Sequence, residues 1–226
     1  MAGKSQIFFV AFVTELLYFE IQWHKPLMTD LKMGRKSTFD HGLALERAMR
    51  LFWAKGYGGT SVRDLLKAMK IGESSFYYLF GSKRRLYLES LKRYNETVTR
   101  RRWEIIQTEP SVRKGMREFF KFVMQQLDDP KNPRLCLMSG SLAPDVLNEK
   151  SLESYVKTEM TFFEESFRKR LEEAKNAGEL PPAFKADMAA QILFTYLQGY
   201  WRVVNVLKPR EKLREEIESL LTSLGL

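Results

Sequence analysis

Hydroxyl side chains are concentrated in one short stretch of this sequence, and their types and spacing suit noncovalent recognition of an anion. Ser74, Ser75, Tyr77 and Tyr78 follow one another closely, and Lys83 comes shortly after them. Small hydroxyls allow close approach to the edges of nucleic-acid bases, whereas tyrosine hydroxyls and lysine ammonium groups donate hydrogen bonds to phosphates. The stretch therefore predicts contact with a nucleic acid, and a plain helical bundle with exposed tyrosines is the alternative.

Basic residues surround this stretch. From Gly34 to Arg102 the sequence holds 16 Lys and Arg against 6 Asp and Glu, a net charge of +10, whereas the whole chain carries +9. A positive surplus confined to one segment is typical of a module that binds a polyanion. On charge alone, a solvated lysine-rich surface explains the surplus equally well.

Residues suited to covalent or metal chemistry are scarce. Cys136 is the single cysteine, and His24 and His41 are the only histidines, so they cannot build a metal cluster. No Ser-His-Asp set, phosphate loop or pair of acids can be assembled, and the sequence predicts no enzyme and no cofactor. Cys136 lies in an apolar run and is interpreted as a buried, inert thiol, and a single cysteine suits a reducing cytoplasm.

Apolar residues recur at three- and four-residue spacing almost throughout the chain, and no alternating strand pattern interrupts them. This periodicity predicts an all-α fold. The first apolar stripe ends at Gly56. Thr60 or Ser61 then begins a short second helix, with Asp64 three residues after Ser61 in the position of a capping box.

The next elements have the spacing of a helix-turn-helix. A turn before Gly72 leads to a third helix over Ser74–Phe80, and Ser82 begins a long helix that reaches about Arg102. In a helix-turn-helix, the N-terminal residues of the second helix of the pair enter the major groove of DNA. Further stripes predict helices at about 116–127, 152–174, 188–203 and 213–224. The predicted buried seam of the motif consists of Leu65, Ala68, Ile71, Phe76 and Phe80.

Four runs of residues together resemble one known family, the TetR (tetracycline-repressor) family of bacterial regulators. These runs are Arg35–Asp40, Ala48–Tyr57, Thr60–Leu65 and Ser74–Lys83. The C-terminal region is compatible with the family but would not have identified it. The resemblance implies a cytoplasmic homodimer that binds a near-palindromic operator and releases it when a small molecule enters the C-terminal domain.

The resemblance also implies roles for individual residues. By this resemblance, Ser61, Tyr77 and Lys83 contact phosphates. Ser74, Ser75 and Tyr78 make the contacts that determine which operator is bound.

Three residues depart from the pattern of the family. Lys70 stands where a turn glycine is common, so a less sharply left-handed turn is expected. Gly72 replaces the usual Ser or Thr cap of the recognition helix. Glu73 favours the helix dipole but repels phosphate, unless it accepts a hydrogen bond from cytosine.

Large apolar side chains in the C-terminal region predict a ligand cavity, although aromatic residues at helical spacing are more often plain core. The candidate effector residues are Trp103, Phe120, Met124, Met138, Phe163, Phe167 and Tyr196. Glu159, Glu164 and Glu165 could select a cationic ligand, or could simply form a solvated helix face. A regulator with no small effector, controlled by a protein partner, is the alternative, and a sizeable closed cavity would distinguish the two.

The last two helices carry apolar residues on more than one side, which predicts that they pair with their copies in a homodimer. The candidate interface residues are Ile192, Leu193, Leu197, Tyr200, Val204, Ile217 and Leu220. The alternative is that both helices merely close the core of one chain.

The sequence divides into an N-terminal extension at residues 1–33, a helix-turn-helix domain at 34–82 and a helical effector and dimerisation domain at 83–226. The uncharged run from Ser5 to Thr14 imitates a signal peptide, but its ten residues are too short to span a membrane. We therefore expect an appended helix or an upstream extension there, and no membrane partner.

Overall fold

The computed structural model describes residues 39–133, 135–204 and 210–226. The prediction for residues 1–33 lies outside these ranges. Within them the chain is all-helical, as predicted, and none of these helices is both long enough and apolar enough to cross a membrane. The helices are α1 (His41–Lys55), α2 (Val62–Met69), α3 (Glu73–Phe80), α4 (Lys83–Tyr94), α5 (Arg100–Thr108), α6 (Val112–Asp128), α7 (Leu137–Gly140), α8 (Pro144–Leu147), α9 (Lys150–Asn176), α10 (Ala186–Val203) and α11 (Arg210–Ser223).

The starts of the first helices follow from local capping. Asp40 begins α1 by accepting a hydrogen bond from the backbone N–H of Leu43 at 2.9 Å. The predicted capping box of α2 is confirmed, because Ser61 Oγ accepts from the N–H of Asp64 at 3.1 Å and Asp64 Oδ2 accepts from the N–H of Ser61 at 3.2 Å. Thr60 instead donates its hydroxyl to the carbonyl of Gly56 at 2.7 Å.

The turn between α2 and α3 corrects one prediction. Lys70 was expected to make this turn less sharply left-handed, yet its backbone lies at φ 59° and ψ 45°, in the left-handed helical region. Its N–H still bonds to the carbonyl of Leu66, so α2 is closed by a non-glycine residue held at positive φ. Gly72 begins α3 without any side-chain cap, as its identity predicts.

The long helix that begins at Ser82 continues past its predicted end at about Arg102. A π-helical segment, Asn95–Thr99, joins α4 to α5, and α5 ends at Thr108. Before this segment the buried face includes Tyr87, Leu91 and Tyr94. After it, the buried positions are 99, 102, 103 and 106, each shifted one residue along from the ordinary helical repeat. The extra residue of the π-helical segment therefore turns Arg102 into the core.

The C-terminal helices enclose an aromatic core. The ring of Trp103 lies 5.8 Å from that of Phe119, 5.9 Å from that of Phe163 and 4.9 Å from that of Phe167, measured between centroids. The tail after α9 returns to cap α6, because Glu179 Oε2 accepts from the N–H of Val112 at 2.9 Å.

We expect Lys70→Gly to stabilise the chain. A left-handed backbone costs a residue with a Cβ about 1–2 kcal/mol, and glycine avoids this cost while losing more entropy on folding, so the free energy of unfolding should rise by about 0.5–1 kcal/mol. Urea denaturation followed by circular dichroism measures this change.

Lys67→Gly is the matched control, because Lys67 is also exposed but lies inside α2. It should lower the free energy of unfolding by about 1 kcal/mol. Equal effects of the two substitutions would contradict the assignment of strain to Lys70.

Candidate nucleic-acid interface and internal cavity

The outer face of α3 consists of the hydroxyl residues that the sequence singled out. Ser74 and Ser75 are exposed, Tyr78 is 88% exposed and Tyr77 is 49% exposed. These side chains can reach another molecule without any rearrangement of the fold. Ser74 and Ser75 lie in the first turn of the helix, the end that enters the major groove in a helix-turn-helix, and Tyr77 and Tyr78 follow in the next turn.

The inner face of α3 fixes that orientation. Phe76 and Phe80 are fully buried, with Leu65 of α2 also at 0% exposure. The ring of His41 at the start of α1 stacks on Phe80, with 4.9 Å between centroids. The predicted seam is therefore confirmed at these three apolar positions, and Ala68 and Ile71 are half-buried at its margin.

Ser61 and Lys83, which are predicted to contact phosphates on either side of α3, differ in exposure. Ser61 is exposed, and because its oxygen accepts the capping hydrogen bond, its hydroxyl hydrogen stays available for a phosphate. Lys83 is half-buried, with its Nζ 4.3 Å from the ring centroid of Tyr57. Burial lowers the pKa of Lys83, and the nearby Asp145 carboxylate opposes that shift.

Two exposed basic residues were missed as individual candidates. Arg63 and Lys67 project from α2, the helix that precedes the recognition helix. The +10 charge of the segment was the signal that could have found them. Glu73 lies exposed in the first turn of α3, next to the hydroxyl face.

A small cavity of about 30 Å³ lies inside the C-terminal helices. Three predicted effector residues, Trp103, Met138 and Phe163, line it. The other lining residues are Thr99, Arg102, Phe119, Cys136, Met160, Leu197, Gln198 and Trp201. Ligand pockets usually measure about 300–1,000 Å³, so the described state encloses far less space than a typical ligand needs.

The remaining four predicted effector residues do not line this cavity, and their role stays a prediction. Phe120 and Phe167 are buried in the core, at 1% and 0% exposure. Met124 and Tyr196 also lie outside the lining. A second, open depression of about 310 Å³ lies between α5 and α6, and none of the predicted effector residues lines it.

A buried guanidinium borders the small cavity. Arg102 is 5% exposed; its Nε donates to Gln126 Oε1 at 2.6 Å and its Nη2 to Tyr94 Oη at 3.2 Å. Its Nη1 approaches Cys136 Sγ at 3.8 Å, and its Cζ lies 4.9 Å from the ring centroid of Trp201. Sequence reasoning missed Arg102, because an arginine in a basic stretch is ordinarily a surface residue.

Cys136 is buried, as predicted from its apolar surroundings. Burial raises the pKa of its thiol, but the charge of Arg102 and the hydrogen bond from Tyr94 outweigh that effect, and the pKa lies below its ordinary value.

The segment Leu135–Ser141 contacts both the cavity and the N-terminal helices. The indole N–H of Trp53 in α1 donates to the carbonyl of Leu135. The hydroxyls of Tyr87 in α4 and Ser141 are hydrogen-bonded at 2.8 Å, and Cys136 within the same segment lines the cavity. This segment is therefore in contact with the cavity, with α1 and with α4.

The predicted dimer surface needs a correction. Leu193 is 0% exposed, so it is enclosed by its own chain and cannot meet a partner. Leu197, Tyr200 and Ile217 are also buried within the protomer. Ile192 is the predicted interface residue that is clearly exposed, at 36%, while Val204 and Leu220 are half-buried.

The comparisons with known proteins agree with this geometry. The family model described as bacterial regulatory proteins, tetR family, matches residues 44–89. The HTH-type transcriptional regulator YezE of Bacillus subtilis is 33% identical over 148 residues, which cover 66% of this chain and 76% of YezE. The chain belongs to the TetR family.

Solved structures extend the likeness over the C-terminal helices. A structure of the TetR family regulator CifR, a cysteine mutant complexed with 26-base-pair operator DNA, is 30% identical. It covers 83% of this chain and 98% of CifR, with a TM-score of 0.76. The repressor ComR of Escherichia coli is 27% identical over 74% of this chain and 80% of its own length. This chain is accordingly a DNA-binding transcriptional regulator with an N-terminal helix-turn-helix and a C-terminal helical domain.

We expect Tyr87→Phe to weaken the link between α4 and the segment Leu135–Ser141 in this regulator. The change removes one buried hydroxyl, and losing a hydrogen bond of this kind costs about 1 kcal/mol in the free energy of unfolding. Urea denaturation measures the loss. Tyr78→Phe is the matched control, because its hydroxyl belongs to a side chain that is 88% exposed, and it should leave stability unchanged.

Proposed function

We propose that this regulator is a cytoplasmic repressor that binds a near-palindromic operator as a homodimer and releases it when a small molecule enters the internal cavity. The observation that carries the DNA-binding part is the exposed hydroxyl face of α3, held outward by two fully buried phenylalanines. CifR, whose operator complex has the same fold, and ComR, which is named a repressor, support the assignment.

The DNA contacts divide by chemistry. Ser74, Ser75 and Tyr78 lie where small donors and a protruding ring reach base edges in the major groove, so they determine sequence preference. Ser61 and Tyr77 offer hydroxyl donors to phosphates on either side. Lys83 contributes a cation whose Nζ lies 4.3 Å from the ring centroid of Tyr57, so a cation–π contact orients the charge.

Effector release is supported by the position of the segment Leu135–Ser141. Cys136 and Met138 of this segment line the cavity, so a ligand that widens the cavity on this side displaces the segment. The same segment holds α1 through Trp53 and α4 through Tyr87. Since α1 and α4 flank the recognition helix, their displacement changes the spacing of two recognition helices in a dimer, which must match one turn of DNA, roughly 34–36 Å.

The small volume of the cavity favours a second candidate. A regulator controlled by a protein partner needs no internal space, and about 30 Å³ is far below the size of usual ligand sites. A screen of small molecules for release of operator DNA separates the two functions, because only the first predicts release without any added protein.

The homodimer rests on the exposed apolar residues of α9 and α10. Met188 is 54% exposed, Ile192 is 36% exposed and Phe162 is 45% exposed. Such side chains on a helical surface are stabilised by burial against a symmetry-related copy.

We expect DNA binding to depend steeply on salt. If roughly six to ten phosphates are neutralised per dimer, the logarithm of affinity should fall against the logarithm of salt concentration with a slope of about −5 to −9. Fluorescence anisotropy with a selected operator measures this slope. A slope near zero would contradict binding through DNA phosphates.

Paired variants test, in the same assay, whether Tyr78 reads bases and Lys83 binds phosphate. Tyr78→Ala should change which operator is preferred, by about 1–3 kcal/mol at the bases it reads, whereas Lys83→Ala should weaken all sequences alike. The matched control is Tyr57→Phe, which keeps the ring beneath Lys83 and should alter neither property. Identical effects of the Tyr78 and Lys83 substitutions would refute the assignment.

We expect Ile192→Glu to yield a folded monomer with weakened operator binding. A charge at a position that is exposed in the protomer costs the single chain little, but it is costly when buried against a copy. Sedimentation at micromolar concentration measures the assembly state. Gln191→Glu, at an exposed polar position beside it, is the control that should stay dimeric.

Replacing Leu193 with Glu is not a suitable test, because that side chain is fully buried in its own chain and the variant would unfold. Wild-type protein that sediments as a monomer would overturn the homodimer.

A further inference from the structure

The cavity beside Arg102 combines a buried permanent charge with an apolar wall. Arginine stays protonated at any physiological pH, and an isolated buried charge is costly unless it is paired. The ion pairs formed by the described residues include none to Arg102, whose partners are the neutral groups of Gln126 and Tyr94 and the Cys136 sulfur. Among the residues that the structure describes, this buried cation therefore forms no ion pair with a carboxylate.

The hydrogen bonds of Arg102 leave donors unused. A guanidinium has five N–H groups, and its described bonds use one on Nε, one on Nη1 and one on Nη2. One N–H on each terminal nitrogen thus has no protein acceptor among these bonds. Two such donors on one guanidinium are the fork that a carboxylate binds in bidentate fashion.

One other polar group at the wall also fits an anion. The amide oxygen of Gln198 already accepts from Ser139 Oγ at 2.5 Å, which leaves its NH₂ group to donate. The hydroxyl of Thr99 donates to Asn95 Oδ1 at 3.1 Å, so it has no second hydrogen for an anion. The described residues of the lining include neither Asp nor Glu, so Glu159, Glu164 and Glu165 do not face the cavity to select a cation.

The apolar part of the wall indicates the body of the ligand. Trp103, Phe163 and Trp201 offer aromatic surfaces, and Met138 and Met160 are flexible side chains that can move aside. A cavity of about 30 Å³ holds a carboxylate-sized group or two waters, since one water needs roughly 10–15 Å³. A ring attached to that group must displace the methionines, which enlarges the cavity toward the segment Leu135–Ser141.

We propose that the effector is a small organic acid with an aromatic or similarly apolar body, whose carboxylate pairs with Arg102. This inference rests on the proposed release function, because it names the chemical class that the same cavity admits. Binding supplies the missing negative charge, so the carboxylate form binds in preference to a neutral molecule of the same shape.

The test compares acids with their amides on the full chain. Sodium benzoate and phenylacetate are matched by benzamide and phenylacetamide with added sodium chloride, so that ionic strength is equal. The acids should raise the melting temperature and quench the fluorescence of Trp103 and Trp201, whereas the amides should do neither. Equal responses to acid and amide, or no response to either acid, would overturn the proposal.

Substitutions locate the effect. Arg102→Gln should abolish the difference between acid and amide, and Arg102→Lys should weaken acid binding about 10- to 100-fold, because a lysine keeps the charge but loses the fork. Arg101→Gln is the matched control, since Arg101 is the exposed neighbour and its loss changes net charge equally. If the Arg102 variants fail to fold, the comparison of acid with amide on the wild-type chain still tests whether the cavity prefers a carboxylate.

Cys136→Ser tests the competing source of negative charge. A thiolate that already neutralises Arg102 would give an ultraviolet thiolate absorbance in the wild type that the variant lacks, and would exclude carboxylates from the wild type. That result overturns the proposal. Equal acid binding by both proteins supports it.

Operator release separates this inference from the proposed function. Acids that bind through Arg102 but leave the DNA complex intact would contradict effector release and would still support a carboxylate site at Arg102. If neutral compounds release the operator and acids do not, effector release is supported and the assignment of the effector as an organic acid is contradicted.

Discussion

Burial of Phe76 and Phe80 is the constraint on which the DNA-reading surface depends. An isolated helix of eight residues such as α3 is not stable in water, so its conformation comes from packing against α1 and α2. With both phenylalanines at 0% exposure, the helix cannot rotate without exposing them, and the hydroxyl residues on its other face are fixed outward. Recognition by this regulator is thus a consequence of core packing.

Hydrogen bonds connect the wall of the cavity to α1 and α4, the helices that flank the recognition helix. The segment Leu135–Ser141 is held by a few directional bonds, from the indole of Trp53 and the hydroxyl of Tyr87. The burial of Tyr87 raises its pKa to about 12, so its hydroxyl stays neutral at physiological pH and keeps this bond.

Arg102 illustrates how a backbone irregularity creates a site. The π-helical segment Asn95–Thr99 inserts one residue into the repeat, and the inward positions move from 98, 101 and 105 to 99, 102 and 106. A charged side chain is thereby placed in an aromatic core, at a cost that ordinary packing would avoid. Exceptions of this kind to local rules are expected at functional or strained sites.

The sequence by itself determined the helical class, the capping box at Ser61 and the hydroxyl face of α3, because each depends on residue types a few positions apart along one helix. It also indicated the family through the spacing of those motifs. It could not determine which apolar stripe of α10 meets its own chain: Leu193 and Ile192 look equivalent in a periodic pattern, and only packing against neighbouring helices buries the first and exposes the second. The left-handed turn at Lys70 and the inward turn of Arg102 were likewise decided by the tertiary structure, since both go against the local preference of the residue and persist only because the surrounding core outweighs it.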